Sequence, residues 1–181
     1  MAYNLKKTVV LVGMMGAGKT AVGTSLAAQL GVVFLDSDAE LTVAANQSIA
    51  EIFERDGEEF FRKRETEVIK RLLVEEPGIL STGGGAFLAE ENRRIIADFG
   101  VSVWLRADIE LLWARVRHKN TRPLLRTDNP RATLEQLCTT REPSYAKAEL
   151  SVTARPGYSI EEMADCVVDA LLTRADVLER H

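Results

Sequence analysis

The chain has 181 residues and a formal net charge of −4, which favours a single domain and leaves no global basic field to hold nucleic acid or an anionic membrane. Hydrophobic residues make up 46%, enough for one sizeable core, yet the longest uncharged apolar stretch, residues 9–18, is too short to span a bilayer. The chain runs from Lys6-Lys7 into its first strand without a signal-peptide layout, and Cys138 and Cys166 lack metal spacing, so a cytoplasmic protein with idle thiols is expected.

Thr8-Val9-Val10-Leu11-Val12 is a short β-branched apolar run and reads as a buried strand. Gly13-Met14-Met15-Gly16-Ala17-Gly18-Lys19-Thr20 follows and fits G-x-x-x-x-G-K-[ST], the phosphate-binding loop. Residues 21–30 read as a helix stopped by Gly31. Glycines let successive N–H groups curl toward one phosphate, and the helix N-terminus adds partial positive charge. Gly16, Ala17, Gly18, Lys19, Thr20 and Ala21 are the expected nucleotide contacts, with Lys19 on the outer phosphates and the Thr20 hydroxyl on Mg²⁺.

Residues 32–35 read as a second strand ending in Asp36-Ser37-Asp38, and a helical region follows. Ser48 and Glu51 form a capping box, Asp56-Gly57 breaks the chain, and residues 58–75 read as an amphipathic helix with Phe61, Val68, Leu72 and Leu73 inward. Residues 79–82 form a third strand running into Gly83-Gly84-Gly85. Residues 89–99 read as a helix and 101–105 as a fourth strand. Asp108 caps a helix to about Arg117, a basic stretch reaches about Pro130, and a further helical region is interrupted at Pro143. Residues 150–153 form a fifth strand, Ser159 opens a last helix, and the final residues read as a frayed tail. Five strands alternating with helices predict a three-layer α/β fold, a five-stranded parallel sheet flanked by helices. Ligands bind such sheets beyond the carboxyl ends of the strands, so the phosphate loop, Asp36/Asp38 and the triple glycine should share one rim.

Asp36 and Asp38 point the same way if the chain is extended there. Beside a nucleotide, such carboxylates can hold the water shell of Mg²⁺ or accept the proton of an attacking hydroxyl. The triple glycine suits close approach of a small polar substrate. The strand before it lacks a terminal acidic residue, which counts against mechanical ATPases. Arg115, Arg117, Lys119, Arg122, Arg126 and Arg131 are opposed only by Asp128. A solvated helix face and a nucleic-acid arm are open to this run, but it interleaves no aromatic residue. A lid closing arginines over transferring phosphates fits the other motifs better. Arg62 and Arg141 could each bind a carboxylate bidentately or form a surface ion pair.

Together these segments resemble the shikimate kinase family of P-loop, nucleoside monophosphate kinase-like proteins. The pieces stand in family order: the phosphate loop, Asp36-x-Asp38, Ser48-Ile49-Ala50-Glu51-Ile52-Phe53, Gly57-Glu58-x-x-Phe61-Arg62-x-x-Glu65, Gly83-Gly84-Gly85, Arg122-Pro123-Leu124-Leu125 and Arg141-x-Pro143-x-Tyr145. The resemblance implies transfer of the ATP γ-phosphate to the 3-hydroxyl of shikimate, a step of aromatic amino acid biosynthesis. It implies catalytic roles for Lys19, Asp38 and Arg122, and Mg²⁺ ligation by Thr20 and Asp36. Substrate contacts would come from Asp38, Arg62, Gly83, Gly84, Gly85 and Arg141, with Glu65 orienting Arg62. Arg115 and Arg122 would lie on the nucleotide, and Arg155 and Pro156 in the adenine pocket. It further implies one kinase domain over 1–181, with a lid at about 115–130, a substrate-binding region at about 38–67, and a monomer. A kinase for another hydroxy acid such as gluconate, and an ATP-binding regulator without catalysis, are the competing readings.

Overall fold

A computed structural model describes residues 2–118 and 125–181. Its strands are Tyr3–Leu5 (β1), Thr8–Val12 (β2), Phe34–Asp36 (β3), Ile79–Ser81 (β4), Gly100–Arg106 (β5), Leu150–Thr153 (β6) and Leu178–Arg180 (β7). Its helices are Lys19–Leu30 (α1), Ser37–Ala45 (α2), Ile49–Leu73 (α3), Glu90–Phe99 (α4), Ile109–Val116 (α5), Pro130–Tyr145 (α6) and Ile160–Leu172 (α7).

β2 is apolar at four of its five positions and buried along its whole length, as a central parallel strand must be when helices cover both faces. It pairs with β4 on one side, Val9 opposite Ile79, and with β5 on the other, Val9 opposite Val101. The full order is β3-β4-β2-β5-β6, all parallel, which is the predicted five-stranded sheet. Each fully buried Val or Leu here contributes roughly 1.5–3 kcal/mol. α1 and α7 pack on each other, and α4 packs on both α3 and β5. Among the described residues no helix is long and apolar enough to cross a membrane.

The predicted caps form. Ser48 Oγ accepts the Glu51 N–H at 3.1 Å, Asp108 Oδ1 that of Leu111 at 2.9 Å, and Ser159 Oγ that of Glu162 at 3.0 Å. Each such cap stabilises its helix by about 1 kcal/mol. The expected break at Asp56-Gly57 is a kink inside α3, where Gly57 takes φ 85° and ψ 171°.

Three expectations are corrected. The second strand begins at Phe34 rather than Val32, because it is an edge strand whose partner β4 offers only three paired residues. Pro143 does not interrupt the helix that holds it: α6 runs on to Tyr145. So near the end, proline removes one ladder bond, and the carbonyl released is that of Thr139, which is exposed to water. The tail is not frayed either. β7 pairs antiparallel with β1, Val177 and Leu178 are buried, and Lys6–Glu179 and Lys7–Asp176 ion pairs flank the ribbon.

Candidate active site

The loop from β2 to α1 carries the nucleotide motif. Gly16 (φ 83°) and Gly18 (φ 94°) lie in the left-handed region, and Gly18 is the N-cap of α1. A Cβ on Gly16 would also fall 2.7 Å from Val116 Cγ1, so glycine lets the loop lie against the end of α5. Lys19 Nζ donates to the carbonyls of Gly13 (2.6 Å) and Met14 (3.1 Å), which folds its side chain back over the loop. α1 has no acidic residue in its first turn, so the helix itself sets no carboxylate against an anion at its N-terminus.

A cleft of about 450 Å³ opens on this loop, within the size range of small-molecule sites. Gly16, Ala17, Gly18, Lys19, Thr20 and Ala21 all line it, with Arg115, whose Nη1 donates to the Gly16 carbonyl at 2.9 Å. The opposite wall comes from Tyr158, Ser159, Ile160 and Met163 at the start of α7. Arg155 and Pro156, the residues expected in the adenine pocket, lie just before this wall in the chain. Both are exposed, and neither lines the cleft. The signal that was available is Ser159: a helix cap at the rim brings the first turn of its helix with it. Arg122 and Lys119 lie outside the described residues. Elsewhere in the basic run, Arg131 pairs with Glu110 and Glu135, and Arg115 is held by the loop, so these two arginines are engaged within the chain.

Asp36 is the last residue of β3 and caps α2. Its Oδ1 accepts the N–H groups of Asp38 (2.9 Å) and Ala39 (3.0 Å). This corrects the extended reading of Asp36-Ser37-Asp38: Asp38 sits in the first turn of a helix, and one carboxylate positions the other.

The triple glycine beyond β4 explains itself residue by residue. A Cβ on Gly83 would lie 2.8 Å from Asp38 Oδ2, one on Gly84 2.7 Å from Arg141 Nη1, and one on Gly85 2.5 Å from Arg62 Nη2. Three charged side chains from α2, α6 and α3 therefore rest on one bare backbone platform. Asn92 ties that platform down, donating to the Ala86 carbonyl at 2.9 Å and accepting from Thr66 of α3 at 2.7 Å. Asn92 is buried, and its polar side chain gave no sign of this in the sequence.

Asp38 Oδ1 is buried and has no hydrogen-bond partner among the described residues. Leaving such an oxygen unpaired in a protein interior is costly. Burial first, and then the charge of Asp36, raise the Asp38 carboxyl above its ordinary range, while Lys19 and Arg62 pull it back. Arg62 Nη1 donates to Glu65 Oε1 at 2.9 Å, and Glu65 is buried. Burial raises the Glu65 carboxyl against the pull of Arg62, so the pair holds the guanidinium in place at some electrostatic cost.

The two residues expected on a metal ion would offer it hard oxygens, the Thr20 hydroxyl and the Asp36 carboxylate oxygen not used in the cap. Among the described residues no group of three or more His, Cys, Asp or Glu could form a cage. Such a sparse set fits Mg²⁺, which keeps waters and shares its shell with nucleotide phosphates.

Residues 15–172 match the shikimate kinase family model. The chain belongs to the shikimate kinase family. A shikimate kinase of Ruegeria pomeroyi is 66% identical over 178 residues, covering 98% of this chain and 91% of that relative. Among solved structures, the shikimate kinase from Acinetobacter baumannii in complex with shikimate has a TM-score of 0.86 at 37% identity, over 93% of this chain and 94% of that one. A gluconokinase from Sinorhizobium meliloti has a TM-score of 0.65 at 16% identity, over 96% of this chain and 95% of that one, a likeness of fold alone. The activity is therefore that of the shikimate kinase family, an ATP-dependent phosphotransfer to an alcohol group, rather than that of a gluconate kinase or a silent regulator.

Proposed function

We propose that the chain transfers the γ-phosphate of ATP to the 3-hydroxyl of shikimate with the residues gathered on the glycine platform. The carrying observation is that Asp38, Arg141 and Arg62 converge on Gly83, Gly84 and Gly85. One carboxylate with an unpaired oxygen and two guanidinium groups are what a small acid bearing a hydroxyl requires. Arg62 and Arg141 bind the substrate carboxylate, and Asp38 Oδ1 accepts the hydrogen bond of the reacting hydroxyl. As that oxygen bonds to the γ-phosphorus, its proton passes to Asp38, and the bond to the β–γ bridging oxygen breaks to leave ADP. Lys19 exchanges its loop carbonyls for the outer phosphates. Thr20 and Asp36 hold Mg²⁺, which neutralises phosphate charge when bound. Arg122 on a lid at about 115–130 stabilises the transferring group, and Arg115 lies over the nucleotide. The substrate-binding region at about 38–67 belongs, with the lid, to one kinase domain of a cytoplasmic monomer.

Arg141→Ala tests the carboxylate contact. Loss of a charge-assisted bond predicts a KM for shikimate raised roughly 10- to 100-fold with the KM for ATP unchanged. An unchanged KM for shikimate would refute the assignment.

A further inference from the structure

Arg141 and Tyr145 are four residues apart on α6 and therefore share one face of the helix. Both are buried, Arg141 at 9% exposure and Tyr145 at 1%. The Tyr145 hydroxyl donates to the Gly84 carbonyl at 2.5 Å, and the Arg141 guanidinium rests on the same glycine. Met14 Sδ closes the remaining side at 4.0 Å, and the Trp104 ring lies 6.0 Å from the Tyr145 ring, centre to centre.

A phenol has one proton and two lone pairs. With the proton given to Gly84, the lone pairs are left for the guanidinium, which can only donate. The hydroxyl thus acts as a clasp that holds the platform and turns only lone pairs toward the arginine beside it. It fixes Arg141 over the one glycine that leaves it room, where a Cβ would lie 2.7 Å from Nη1. It also fixes the peptide plane between Gly84 and Gly85: with the carbonyl turned to Tyr145, the Gly85 N–H points the opposite way.

We infer that Tyr145 is a positioning residue for the substrate carboxylate, acting through Arg141. Burial raises the phenol above its ordinary range despite the nearby arginine, so it stays protonated and keeps donating across the working pH range. The role rests on the reading of Arg141 as the carboxylate contact.

Tyr145→Phe keeps the ring in its packing and deletes only the clasp. The expected result is a KM for shikimate raised about tenfold, with kcat and the KM for ATP each within about threefold of the parent. In an Arg141→Ala background the same substitution should add less than about twofold, because the residue it positions is gone. A fall in melting temperature with all kinetic constants unchanged would reduce Tyr145 to packing and overturn the inference. So would a full tenfold effect in the Arg141→Ala background. If Arg141→Ala alone left the KM for shikimate unchanged, the carboxylate reading would fall and this inference with it. If Arg141→Ala raised it while Tyr145→Phe did not, only the inference would fall.

Discussion

Asp38→Asn should lower turnover by roughly 10³-fold, within the range of a lost general base, while Mg-ATP binding stays within a few-fold of the parent. The substitution keeps the shape of the side chain but leaves a group that accepts no proton at working pH. The nucleotide cleft is lined from the phosphate loop, Arg115 and the start of α7, and Asp38 is no part of it. Turnover within a few-fold of the parent would remove Asp38 from the chemistry. Its pH behaviour gives a second reading of the same role. Burial and Asp36 raise its carboxyl in the folded chain. The ionised form is the one that accepts a proton, so activity should fall as pH drops through this raised value, earlier than for an ordinary aspartate. The stability sign is opposite. A raised acid is most favourable to the fold below its unfolded pKa, and that advantage is lost as pH rises through the folded pKa. At neutral pH the ionised Asp38 therefore costs stability, and Asp38→Asn should unfold at a slightly higher temperature while being nearly inactive.

Gly83→Ala is expected to cost about 100-fold in kcat without a comparable loss of stability. The added Cβ would meet Asp38 Oδ2 at 2.8 Å, Oδ1 at 3.0 Å and Cγ at 3.2 Å. Gly83 does not lie in the left-handed region, so alanine brings no backbone strain of that kind. The conflict is relieved by moving the carboxylate. A displacement near 1 Å at a reacting group is worth about 10²-fold in rate. The change should appear in kcat, with the KM for ATP unaltered. A fully active Gly83→Ala enzyme would show that the close approach of Asp38 to the platform has no catalytic meaning.

Local signals were legible in the sequence. The phosphate loop, the caps at Ser48, Asp108 and Ser159, and the five sheet strands each depend on residues near one another in the chain. What the sequence withheld was long-range. Nothing local says that Gly83, Gly84 and Gly85 receive Asp38, Arg141 and Arg62 in turn, because α2, α6 and α3 meet there only after folding. Asp36 reads as a free carboxylate until its cap on α2 is seen. β1 and β7 were missed because each is three residues long, and in β7 only Leu178 is buried, so no alternation builds up. The wall at Tyr158 to Met163 was not foreseen, since only the packing of α7 on α1 brings this part of the chain to the phosphate loop.

The central claim is a phosphotransferase whose acceptor is shikimate. The most direct measurement is ADP release from Mg-ATP with and without shikimate, with gluconate as the parallel acid and the phosphorylated product identified by NMR. Strong stimulation by shikimate alone, with phosphate on the 3-hydroxyl, is the predicted result. Equal ADP release with and without shikimate, or stimulation by gluconate instead, would contradict it.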